Sequence, residues 1–255
     1  MGGNDRPARD LSRGMTLALL DRIALTLLLL GGVLLAGRAW LHDHPQHDPW
    51  APLSLDDADG WATGRKLAAL RADRQLCRTF LERSGIDGTA LAPLSAAECR
   101  RDDRKRLSAP EALGVELRPA GAQATCAVDA GLAWWLRHGV QPAAQSALGT
   151  KVARIEHLGT ANCRRIGGGK EGRWSEHATG NAIDVAAFVL KNGRRISVLR
   201  DWAGRDSAAS RFLHEVRDNA CGTFSTVLSP DYNAAHADHL HLDQAQRTGG
   251  WGACR

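Results

Sequence analysis

The stretch Trp174-Ser175-Glu176-His177-Ala178-Thr179-Gly180-Asn181-Ala182-Ile183-Asp184 decides how the rest of the chain is read. His177 and Asp184 stand seven residues apart, with a glycine turn at Gly180 between them. Beyond the turn, Ala182 to Leu190 is apolar and partly β-branched, the pattern of a buried strand. A loop histidine and a strand carboxylate at this spacing can converge on one point, as a metal site requires. A second stretch lies further along, His236-Ala237-Asp238-His239-Leu240-His241-Leu242-Asp243. Period-two alternation sets His239, His241 and Asp243 on one face and Leu240 and Leu242 on the other. Packing alone does not call for two histidines side by side on a strand face with a third, His236, just upstream.

Ser175-x-His177-x-x-Gly180-x-Ala182-x-Asp184 followed by His239-x-His241 resembles the zinc peptidases of the lysostaphin, D-alanyl-D-alanine and sonic hedgehog superfamily. The His236-x-x-His239-x-His241 spacing is most similar to its penicillin-insensitive murein endopeptidase branch. The wider setting resembles the bacterial extensin-like C-terminal family, through Cys163-Arg164, Ser175-Glu176-His177, Leu228-Ser229-Pro230-Asp231-Tyr232-Asn233 and the closing Cys254-Arg255. This likeness covers roughly Cys77 to Arg255.

The resemblance implies that His177, Asp184 and His241 are the zinc ligands, two imidazoles and one carboxylate with a fourth position left for water. It also implies active-site roles without ligation for His239 and His236, and either imidazole could be the base. The carboxypeptidase branch places a glutamate in the corresponding segment and this chain has none, which argues against a close dipeptidase. Arg164 resembles the superfamily arginine upstream of the first motif, whose guanidinium can pair with a substrate carbonyl or carboxylate. Ser175 and Asp243 are read as residues that orient a ligand. His138, His157 and His214 are read as packing or surface residues.

The chain of 255 residues has room for one good domain and an appendage, and its 44% hydrophobic content suits a packed core rather than disorder. A net charge of +5 favours an acidic partner: nucleic acid, anionic lipid or the free carboxylates of cell-wall stem peptides. Compartment chooses among them. Ile23 to Gly37 carries no charge and is rich in leucine, with Arg6, Arg9, Arg13 and Arg22 before it and Arg38 after. A span needs about 20 residues, and snorkelling of Arg38 extends the run through Trp40 and Leu41. No small-x-small cleavage site stands before Arg38, so an uncleaved anchor is favoured over a cleaved signal. Either way the remainder is exported, and nucleic acid drops out as a partner.

All six cysteines (Cys77, Cys99, Cys126, Cys163, Cys221 and Cys254) come after the apolar segment, as three disulfides in an oxidising compartment would require. Neighbour pairing, Cys77 to Cys99, Cys126 to Cys163 and Cys221 to Cys254, is the simplest expectation.

Residues 1–14 are thus expected to be a cytoplasmic tail, 15–41 a transmembrane signal anchor and 42–56 a periplasmic linker. Residues 57–125 read as a helical lead-in with a charged loop, and 126–255 as the zinc peptidase domain. His42, His44 and His47 read as part of a solvated tether. Asp57 to Arg83 carries apolar residues at helical spacing. Glu98 to Arg106 is nearly all charged and reads as a solvated loop. A helix is predicted over Asp129 to Arg137, with Trp134 and Trp135 in the core or one of them lining a groove. Pro142 and Gly149 frame a third helix. Lys151 to Leu158 and Thr160 to Arg164 read as strands, and the glycine run from Gly167 to Gly172 as a flexible loop beside the site. Asn192-Gly193 predicts a two-residue hairpin. A helix over Ser207 to Ala220, with Gly222 as its stop, leads to a strand at Phe224 to Leu228. The fold expected is α+β: a small antiparallel sheet with flanking helices carrying a single zinc site, preceded by a membrane helix.

The activity expected is hydrolysis of peptide cross-links in peptidoglycan by a membrane-anchored periplasmic zinc endopeptidase. Its expected partners are stem peptides, the inner membrane through the N-terminal helix, and a larger envelope or secretion assembly. Two other readings stand beside it: a zinc-containing cell-wall-binding scaffold without turnover, and a zinc carboxypeptidase on free stem peptides.

Overall fold

The computed structural model describes residues 10–204, 207–247 and 252–255. The first nine residues of the expected cytoplasmic tail, Arg6 and Arg9 among them, lie outside the described residues. The helices are α1 (Asp10–Asp43), α2 (Thr63–Ala72), α3 (Arg74–Arg83), α4 (Ala109–Ala112), α5 (Cys126–Trp135), α6 (Gln141–Leu148), α7 (Val198–Asp201) and α8 (Ala208–Thr223). The strands are β1 (Lys105–Arg106), β2 (Glu116–Arg118), β3 (Gln123–Ala124), β4 (Val152–Gly159), β5 (Ala182–Leu190), β6 (Arg195–Ser197), β7 (Thr226–Leu228), β8 (Leu240–Asp243) and β9 (Ala253–Cys254).

This is a mixed α+β architecture built around β5. One edge of β5 pairs with β4; the other pairs with β8 along its first half and with β6 along its second. The order β2-β4-β5-β8-β7-β9 is antiparallel in the middle. The outermost pairings, β2 with β4 and β7 with β9, are parallel, so the sheet is mixed rather than purely antiparallel. Gly193, at φ +83, makes the hairpin turn that Asn192-Gly193 predicts.

Alternation along the central strands divides the sheet into two faces. Ile183, Val185, Leu240 and Leu242 enter the main core with Val128, Leu132 and Trp135 of α5 and Phe212, Leu213 and Val216 of α8. Asp184 and His241, between them in sequence, belong to the opposite face. Helix α5 is buried along its whole length because it also has a second layer behind it. There Cys126, Ala130, Ala133 and Trp134 pack on Leu67 and Leu70 of α2, and on Cys77, Phe80 and Leu81 of α3. Both tryptophans are therefore core, but of different layers. Trp135 donates its indole N–H to the Val216 carbonyl at 2.8 Å, while Trp134 stacks on His138.

Several sequence expectations are corrected. The helix expected over Asp57 to Arg83 is two helices, and Trp61 precedes both. Asp73 leaves helical geometry, and its carboxylate accepts the backbone N–H groups of Gln75 and Leu76 at 2.8 and 3.0 Å, capping α3. Thr160 to Arg164 is irregular rather than a strand, and α8 runs past Gly222 to Thr223. The charged run Glu98 to Arg106 is not a solvated loop, because several of its side chains have specific buried partners. Lys105 pairs with the fully buried Asp129 at 2.5 Å, and Asp129 also accepts the Ser108 and Ala109 N–H groups. Residues 42–56 are not a free tether either: Lys66 Nζ donates to the Pro45 carbonyl at 2.6 Å and Arg83 to the Leu53 carbonyl at 3.1 Å.

Three disulfides form, but two of the three neighbour pairings are wrong. The bonds are Cys77–Cys126, Cys99–Cys163 and Cys221–Cys254. Cys77 faces inward from α3 onto the first turn of α5, so packing of those helices selects Cys126 over the nearer Cys99. The first two bonds tie residues 57–125 to residues 126–255. In α1, Ala18–Asp43 is long and apolar enough to cross a membrane, and none of it is buried in the protein.

Candidate metal centre

His177 is carried on a short 3-10 turn, Glu176–Thr179. Ser175 caps the turn, its hydroxyl oxygen accepting the His177 N–H at 3.3 Å. Gly180 closes it in the left-handed region at φ +73, and a Cβ there would meet the Arg101 guanidinium at 2.8 Å. Only glycine satisfies both conditions. The turn is tied to the start of α5: the Thr125 N–H donates to the Gly180 carbonyl at 3.0 Å and its hydroxyl to Asn181 at 2.9 Å. Asn181 in turn donates to the Glu176 carboxylate at 2.7 Å. Burial raises the pKa of that carboxyl, with the Asn181 hydrogen bond opposing.

Asp184 and His241 are register partners across the antiparallel β5–β8 pair. Asp184 Oδ1 lies 2.9 Å from His241 Nδ1 and 3.1 Å from His177 Nε2, and the two ring nitrogens are 3.1 Å apart. Neighbouring donors in a tetrahedral shell with bonds of about 2.0 Å stand roughly 3.3 Å from one another. Two imidazoles and a carboxylate at these spacings fit the donor set of a divalent cation such as zinc. Among the described residues these three form the cluster able to hold a metal, all ligand atoms lying within 4.8 Å of one another. His241 Nε2 donates to Asp243 Oδ2 at 3.1 Å, which aims the other ring nitrogen inward. Asp243 is held by the Ala245 N–H at 3.0 Å.

The electrostatics show how strongly these groups are coupled. Burial works against the charged form of Asp184, but hydrogen bonds from His177 and His241 outweigh it and hold the carboxyl far below its ordinary range. Burial likewise opposes protonation of His241, yet its bonds to Asp184 and Asp243 raise the pKa to about 9.

His239 precedes β8 and sits at the rim, its Nε2 3.6 Å from Asp184 Oδ1. Its Nδ1 donates to Asp238 Oδ1 at 2.8 Å, leaving the lone pair on Nε2. The His236 ring lies 5.2 Å from that of His239 and 6.0 Å from that of His241. Asn233 Oδ1 accepts from His236 Nδ1 at 2.7 Å, and Tyr232 meets the ring edge-on. Burial and the charges of His239 and His241 lower the His236 pKa to about 4, and Arg164 adds to the effect from the exposed side. Arg165 lies over the Trp174 ring at 4.3 Å, turned onto its own loop.

The structure thus brings His177, Asp184, His241, His239 and His236 together, with Asp243 and Ser175 behind the ligand positions. His138, His157 and His214 are elsewhere: His138 stacks on Trp134, His214 lies tilted against Trp202, and His157 bonds the Pro119 carbonyl. Sequence reasoning missed Asp238, Asn233 and Asn181. Strand alternation puts Asp238 on the wrong face, but the strand begins only at Leu240, so alternation does not apply to it. The adjacency Asp238-His239 was the available signal.

The site is a His–Asp–His cluster on the sheet face opposite the main core of a mixed α+β fold. The sequence profile described as extensin-like protein C-terminus matches residues 75–255, and the chain belongs to that family. No curated protein and no solved structure matches the chain significantly.

Proposed function

We propose that this protein is a periplasmic zinc peptidase, anchored in the inner membrane by α1, that hydrolyses peptide cross-links of peptidoglycan. The observation that carries the reading is the convergence of His177 Nε2, Asp184 Oδ1 and His241 Nδ1 beside an Asp238–His239 pair. Three disulfides and an apolar helix ahead of the domain support an exported, oxidising location. His177, Asp184 and His241 would hold the zinc ion, which would supply Lewis acidity to the scissile carbonyl and to water.

The chain's own residues supply the rest. His239, with Nδ1–H committed to Asp238, accepts a proton from the attacking water at Nε2 and returns it to the amide nitrogen as the C–N bond breaks. The second water proton follows to the same nitrogen, so the products are a carboxylate and a protonated amine. His236, held by Asn233, is a second imidazole on the same rim and is kept neutral by its surroundings. Arg164 offers an exposed guanidinium to a substrate carboxylate or carbonyl.

The test is zinc-loaded full-length protein on cross-linked muropeptides. Conversion to monomers is expected, with His239→Ala retaining metal and losing about 10² to 10⁴ in rate. Wild-type turnover in His239→Ala removes the assigned base. Binding to sacculi without any cleavage makes the protein a scaffold, and loss of terminal D-alanine from free pentapeptide alone makes it a carboxypeptidase.

A further inference from the structure

Three of the chain's eight tryptophans lie at the end of the apolar helix and just beyond it, and all are open to solvent: Trp40 at 47%, Trp50 at 77% and Trp61 at 66% exposure. They are not loosely strung. Trp40, near the end of α1, stacks on His44 and His47 at 4.5 and 5.4 Å between ring centroids, and His47 stacks on Trp61 at 6.2 Å. The backbone locks the ladder. The Ala62 N–H donates to the Gln46 carbonyl at 3.3 Å, and the Trp61 N–H to His47 Nδ1 at 3.4 Å. Lys66, buried on α2, donates to the Pro45 carbonyl at 2.6 Å. Gly60 permits this approach, since a Cβ there would stand 2.4 Å from the Gln46 oxygen. Trp50 sits in a turn closed by its N–H on Asp48 Oδ1 at 2.9 Å.

An indole has an apolar body and one N–H, and partitions to the boundary between lipid headgroups and acyl chains. Trp40 lies near the end of a helix whose apolar stretch Ala18–Asp43 is not buried in the protein, so it marks that boundary, and the histidine ladder holds Trp61 beside it. We propose that Trp40, Trp50 and Trp61 form a collar that seats the domain on the bilayer surface, with the headgroup–acyl boundary as its partner. The domain then stands at a fixed height and orientation above the membrane instead of trailing on a linker. This inference rests on reading α1 as a retained anchor and is independent of the peptidase reading.

Full-length protein in phosphatidylcholine vesicles tests it, with lipids brominated high on the acyl chain as the quencher. If Trp50 and Trp61 reach the boundary, the emission lost to bromolipid falls in a Trp50→Phe/Trp61→Phe variant relative to wild type. Unchanged lost emission, with wild-type Trp50 and Trp61 quenched freely by aqueous acrylamide, overturns the collar. An alkaline wash separates the two readings. Release of the protein from the vesicles overturns the anchor and the collar together, whereas firm retention with unquenched Trp50 and Trp61 overturns the collar alone.

Discussion

Asp184 and His241 stand directly opposite each other on antiparallel strands, and the Asp184 carboxylate comes within 2.9 Å of His241 Nδ1. The pair is therefore set by sheet register, and His177 is brought to it by a capped turn only a few residues upstream. A site held by backbone pairing is rigid before any ligand arrives. This matters because loss of one donor should weaken a metal site without dissolving the fold.

The purified protein should bind one zinc ion per chain. His177→Ala, Asp184→Ala and His241→Ala should each remove most of it. Asp243→Asn, which disturbs the orienting bond to His241 Nε2, should weaken affinity by about 10- to 100-fold. Metal analysis with competitive chelator titration reads both effects. Full zinc retention in all three alanine variants would contradict the ligand assignment.

Zinc affinity should rise with pH. His241 is raised to about 9 in the metal-free protein, so below that pH the metal must displace its proton. Between pH 6 and 8 the apparent affinity should climb about tenfold per pH unit for one displaced proton. Without metal the sign reverses for stability. A folded pKa above the ordinary histidine value of about 6.5 contributes stability that is complete below about 6.5 and lost as pH rises through about 9. Thermal melts of the metal-free protein, wild type against His241→Ala, should show a gap that closes toward pH 9 and above. A gap that widens there sinks the argument.

Peptide mapping without reduction should recover Cys77 joined to Cys126 and Cys99 joined to Cys163. Removing Cys77–Cys126, which spans 49 residues and anchors α3 on α5, should cost about 2–5 kcal/mol in denaturant unfolding. Recovery of a Cys77–Cys99 peptide is the contrary result.

Gly180→Ala should destabilise the protein and its metal site together. The left-handed backbone alone costs roughly 1–2 kcal/mol for a residue with a Cβ, and the Arg101 guanidinium occupies the space. Arg101→Ala in the Gly180→Ala background should relieve the steric part and leave the backbone part. Equal stability of wild type and Gly180→Ala by urea unfolding rules this account out.

The sequence by itself determined much about this protein, because local rules carry it. The apolar run Ala182 to Leu190 specified the buried strand β5, and alternation on β8 sent Leu240 and Leu242 to the core and left His241 on the opposite face. Asn192-Gly193 specified a hairpin, and Pro142 with Gly149 bounded a helix. The apolar run after Ile23 announced a helix of membrane length. What only the tertiary structure decided depends on contacts between residues far apart in the chain. Which cysteines bond is settled by α3 lying on α5, and no spacing encodes that. The charged run containing Lys105 is drawn inward because the Asp129 carboxylate awaits it, a partner invisible to composition. Asp73 splits a helix that apolar periodicity alone extends unbroken, since its carboxylate caps the next one. Asp238 takes its place behind His239 because a loop there frees it from the strand's alternation, and the His44 and His47 rings become a ladder only once Gly60 lets the two backbones meet.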